Sequence, residues 1–162
     1  MTRRWLVFLA AGGSLGLLLA AWGFEYLGGL APCQMCLWQR WPHLVAVPVG
    51  VLALGVSGAL LPLLGAGAAL TTAGIGLYHT GVERGFWPGP SACSGGGDDL
   101  GAMSGADLLS LDITGSVVMC DEVAWSLAGL SMASWNALAS LALAALWLAA
   151  ALRSRQGAAR RA

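Results

Sequence analysis

Residues 41–79 read WPHLVAVPVGVLALGVSGALLPLLGAGAALTTAGIGLYH, with no aspartate, glutamate, lysine or arginine. As one helix, rising about 1.5 Å per residue, the run would reach about 60 Å, twice the roughly 30 Å hydrocarbon core of a bilayer. It is therefore expected to fold back. Gly58, Pro62 and Gly65 fall in its middle. Glycine weakens a helix through its entropy, and proline removes a donor and crowds the preceding turn. The reversal is placed near Gly55–Gly65, leaving spans at about 41–59 and 62–80.

Two more uncharged runs flank this hairpin, at about 5–23 and 131–152. Each is close to the roughly 20 residues that a bilayer requires. The expected fold class is thus an all-α membrane protein, a bundle of four transmembrane helices forming one domain over residues 1–162. Composition agrees: 57% of the 162 residues are hydrophobic and 10% charged, against about 25% charged in soluble domains. Net charge is zero, which argues against a nucleic-acid partner.

The arrangement of charge orients the bundle. All eight basic residues are arginines. Arg3 and Arg4 open the chain, Arg153, Arg155, Arg160 and Arg161 close it, and only Arg40 and Arg84 lie between. Basic residues beside a span stay on the cytoplasmic side. Both termini are then cytoplasmic, in accord with an even number of spans. Loops at about 24–40 and 81–130 face the periplasm. Trp22, Trp38, Trp41, Trp87, Trp125 and Trp135 fall near the outer boundaries, and Trp5 near the inner one, as interfacial tryptophans do. In the second loop, Met103, Leu108, Leu109, Leu111 and Ile113 suggest a short amphipathic piece on the membrane surface. Thr2-Arg3-Arg4 followed by an apolar run also resembles a signal peptide. Its removal would leave an odd number of spans, so it is read as the first span.

All four cysteines, Cys33, Cys36, Cys93 and Cys120, fall in the two outer loops. An oxidising compartment favours disulfides there, in any of three connectivities. Cys33-Gln34-Met35-Cys36 is a C-x-x-C. A zinc site would want a second such pair, and covalent haem a histidine where Leu37 stands. Two inert structural disulfides are the competing plain reading. A redox pair is favoured by placement. Cys36 falls at the start of the second helix, whose N-terminus favours a thiolate. Arg40 follows four residues later on the same face, as a permanent cation. Taken alone, Arg40 would be an interfacial anchor, and His43 and His79 interfacial histidines. No metal site is expected.

The stretch Ala31-Pro32-Cys33-Gln34-Met35-Cys36-Leu37-Trp38-Gln39-Arg40 resembles the DsbB family, quinone-dependent thiol oxidases of bacterial inner membranes. Tyr78-His79-Thr80, Pro90-Ser91-Ala92-Cys93 and the region from Cys120 to Trp135 share the likeness. The resemblance implies that a periplasmic DsbA-type dithiol protein attacks a Cys93–Cys120 disulfide at Cys93. Cys120 then attacks Cys33. Cys36 becomes a thiolate and passes electrons to ubiquinone (or menaquinone) through a charge-transfer or transient covalent complex. Arg40 stabilises the reduced quinone, and His79 lies near its ring. Many members carry glutamate where this chain has Gln39. Rival readings are a dedicated-substrate paralogue, an enzyme like vitamin K epoxide reductase, and a non-enzymatic four-span protein with two structural disulfides.

Overall fold

A computed structural model describes residues 1–90 and 119–159. Four long helices dominate it: α1 (Arg3–Tyr26), α2 (Gln34–Gly55), α3 (Leu60–Glu83) and α4 (Met132–Ala159). They pack in a ring, each on the next and α4 back on α1. One small departure from the expected all-α class precedes α4. Strands β1 (Ser126–Leu127) and β2 (Leu130–Ser131) pair antiparallel. Ala128 and Gly129 form their turn, both with positive φ, as the tightest hairpins require.

The reversal falls where the glycines and proline predict it. α2 ends at Gly55, and α3 starts at Leu60 with Pro62 in its first turn, where a missing N–H costs nothing. Among the described residues, three helices are long and apolar enough to cross a membrane: Arg3–Tyr26, Leu60–Glu83 and Met132–Gly157. α2 does not join them, because its first half carries Gln34, Gln39, Arg40 and His43. The amphipathic piece expected around Met103 to Ile113 lies outside the described residues.

Small residues let the helices close up. Gly65 of α3 faces the Trp147 indole of α4 so tightly that a Cβ there would lie 2.5 Å from ring atoms. Trp147 is fully buried, among Val7, Ala10, Ala53, Ala66, Ala69 and Ala144. Large apolar side chains instead line the outside, including Phe8, Leu19, Val51, Leu64, Leu70 and Leu138. An apolar exterior around a small-residue interior suits lipid as the solvent.

One arginine ties the closed end together. Arg3 Nε donates to Ser154 Oγ of α4 at 2.8 Å, and its Nη2 donates to the Val56 carbonyl at 2.8 Å. The start of α1, the α2–α3 turn and the end of α4 therefore lie together. The starts of α2 and α4 and the end of α3 meet at the opposite end.

Candidate functional site

At that opposite end Cys33 caps α2. Its φ of −73° and ψ of 168° are extended, and its sulfur accepts the Cys36 N–H at 3.2 Å. The first turn thus brings the C-x-x-C sulfurs together, 2.7 Å apart and unbonded; both are free cysteines. The helix begins seven residues before the expected span, and Cys36 sits within its first turn rather than in a loop. Cys33 is buried and Cys36 half-buried.

The Cys33 thiol is lowered to about 4. The chief cause is the hydrogen bond from Cys36, opposed by burial and reinforced by His79 and the Cys36 backbone N–H. The hydrogen bonds and His79 favour the anion, as the helix N-terminus does. In this reduced pair the negative charge therefore rests on Cys33.

His79, near the end of α3, places Nε2 3.6 Å from the Cys33 sulfur. Glu83, one turn on, lies 3.9 Å from the same nitrogen and accepts from Ser131 Oγ. Cys120 is disulfide-bonded and packs with Cys33, Met35 and Val82. Cys93 lies outside the described residues. Donor atoms of Cys33, Cys36 and His79 fall within 4.8 Å of one another, a set that could hold a metal ion.

Cys36, Arg40 and His79 line a cavity of about 330 Å³. Leu17, Ala21 and Phe24 of α1 and Met132 and Trp135 of α4 supply its apolar walls, with Trp125 packed on Phe24 at 5.1 Å. Arg40 pairs with Glu25 of α1, while its buried Nε has no partner among the described residues. A greasy slot with one underused cation fits an apolar ring that carries acceptor oxygens, as a quinone does.

Sequence reasoning did not find the polar core beneath these residues. His43, expected at the interface, is 3% exposed. Its Nε2 meets Asn136 Oδ1 of α4 at 3.1 Å, with Thr72 of α3 and Ser140 of α4 at 3.4 Å. Asn136 also donates to Gln39 Oε1 at 2.7 Å. The available signal was a set of lone polar residues inside apolar runs, which lipid tolerates only when they face a partner.

A stabilised thiolate beside its partner sulfur, set in the end of an apolar-faced bundle, is the working part of a membrane thiol–disulfide oxidoreductase. The family model for disulfide bond formation protein DsbB matches residues 3–150, and this chain belongs to that family. Disulfide bond formation protein B of Marinobacter nauticus is 33% identical over 162 residues, covering 94% of each chain. Its counterpart in Polaromonas sp. is 31% identical over 154 residues, covering 91% of this chain and 89% of the relative. No solved structure matches significantly.

Proposed function

We propose that this protein reoxidises a periplasmic DsbA-type dithiol protein and passes the electrons through its two cysteine pairs to ubiquinone or menaquinone. The observation that carries this reading is the shared cavity: Cys36 and Arg40 both line one apolar pocket at the cysteine end. Four helices cross the bacterial inner membrane, with the cysteine end periplasmic and the arginine-rich ends cytoplasmic.

In this relay Cys93 is the partner sulfur of the disulfide-bonded Cys120. The partner's thiolate attacks Cys93 and expels Cys120; the partner's second sulfur then closes its own disulfide and releases Cys93. With Cys33 and Cys36 joined as a disulfide, Cys120 attacks Cys33 and expels Cys36 as a thiolate; Cys93 then attacks Cys120, re-forming the Cys93–Cys120 bond and releasing Cys33. Two electrons and two protons have then moved to Cys33 and Cys36. Free Cys33 and Cys36 beside a disulfide-bonded Cys120 support this order of exchange.

Bound in the cavity, a quinone supplies a two-electron, two-proton acceptor. Arg40 lines the same apolar cavity and holds positive charge where negative charge would develop on a bound ring. Phe24 and Trp125 offer faces against which a flat ring packs. His79 holds its N–H at the Cys33 sulfur, favouring the anion that must attack or leave.

The test is stopped-flow oxidation of a reduced DsbA-type protein by the purified chain, with quinone absorbance followed in the same mixing. Turnover is expected, and Cys33→Ser and Cys93→Ser should each abolish it. Persistence of turnover in both variants would remove the proposed relay. Oxidation of the partner without quinone loss would remove the acceptor.

A further inference from the structure

The polar core between α2, α3 and α4 carries a direction. Thr72 Oγ lies 3.0 Å from the Gln39 carbonyl, which can only accept. The Thr72 hydrogen is thereby committed, so its oxygen accepts from Asn136 Nδ2 at 3.1 Å. The second hydrogen of that amide goes to Gln39 Oε1 at 2.7 Å. Gln39 must then present Nε2 to the Met35 carbonyl at 3.3 Å and to His79 Nδ1 at 2.9 Å. An N–H donating to Nδ1 leaves the ring proton on Nε2, the nitrogen that faces the Cys33 sulfur at 3.6 Å. One backbone carbonyl thus sets the polarity of a chain ending at the reactive thiolate. The same polarity counts against a metal ion on Cys33, Cys36 and His79, since the needed nitrogen carries a proton.

We propose that Asn136 is a positioning residue for the thiol chemistry: through the Gln39 amide it holds the His79 proton on Nε2, against Cys33. This builds on the reading of Cys33 as a reacting sulfur. Without Asn136, the Gln39 amide is released to turn and offer Oε1 to His79 Nδ1. The proton then moves to Nδ1, and Nε2 turns a lone pair toward an anionic sulfur. Other groups around this pair are Cys36 of α2 and Glu83 of α3, with Arg84 beyond it. Cys120 offers His79 a backbone carbonyl, and Arg40 is engaged by Glu25 of α1. None of them acts on the Gln39 amide.

The experiment uses the reduced full-length chain in detergent, with neither quinone nor partner protein, so its outcome is separate from the turnover test. The chain has two histidines, so ¹⁵N spectra of labelled rings are assigned with one His79→Phe variant. The parent is expected to show His79 protonated at Nε2, and Asn136→Leu to shift it toward Nδ1. The pH midpoint for alkylation of Cys33 by iodoacetamide should rise in Asn136→Leu by about one to two pH units, the worth of a hydrogen bond to a charged group. In the His79→Phe background the same substitution should add no further shift, a coupling that a merely structural role would not produce. Equal shifts in both backgrounds would overturn the proposal. So would a parent spectrum with the proton on Nδ1, a result that decides the matter even if Asn136→Leu does not fold.

Discussion

Cys33 and Cys36 are three residues apart, yet their surroundings treat them unequally. Cys33 is the cap, so the Cys36 N–H and the His79 N–H both reach its sulfur. Its folded value lies far below that of an ordinary thiol, so the anion persists from neutral pH down to about 4 and is lost below that. Stabilising the reduced thiolate also makes the couple more oxidising. Thiolate absorbance of the reduced chain near 240 nm should therefore titrate with a midpoint near 4. Cys36→Ala removes the leading donor and should raise that midpoint by about one unit or more. A parent midpoint in the ordinary thiol range, about 8.5, would refute this account. The pair and Arg40 are legible in the sequence because spacing alone puts them on one helical turn. The seat of the charge is not, because it depends on which sulfur the cap turns inward.

At the scale of elements, glycine and proline mark the reversal between α2 and α3 well, since their effects are local. Where α2 begins is harder to read. The polar turns around Gln39 and His43 look like loop chemistry until Thr72 and Asn136 come from other helices to satisfy them. Those partners stand 33 and 97 residues away from Gln39, beyond the reach of any periodicity. Trp147 follows the same logic: tryptophan favours the interface, but this one is fully buried against Gly65. Gly65→Ala should lower stability by about 1–3 kcal/mol, the usual cost of overpacking, measured by unfolding in mixed micelles. Gly67→Ala is the control, since nothing lies within 4 Å of a Cβ there. It should be neutral or stabilising by up to about 1 kcal/mol, because alanine is the better helix former. Equal loss in both would mean that contact with Trp147 does not limit packing.

For the whole molecule, the arginines at the chain ends predict an orientation, and Arg3 makes contacts that bear on it. By bonding to Ser154 and to the Val56 carbonyl, it fixes the α2–α3 turn beside the start of α1 and the last turns of α4. That contact has a consequence for α2, the helix too polar to qualify as a span by composition. If α1 crosses the membrane and its first residues touch the turn after α2, then α2 must cross as well. Its polar face is tolerable because Gln39 and His43 are buried against α3 and α4 rather than turned to lipid. Impermeant maleimide labelling of intact spheroplasts tests this directly, in a chain whose native cysteines are replaced by serine. Three exposed positions serve as probes: Ser57 in the α2–α3 turn, Ser126 before α4 and Arg155 near its end. Ser126→Cys should label from outside, whereas Ser57→Cys and Arg155→Cys should label only after permeabilisation. Labelling of Ser57→Cys from outside would put the turn on the cysteine side. The Arg3 contacts could not then form across the membrane, and a four-span bundle would be untenable.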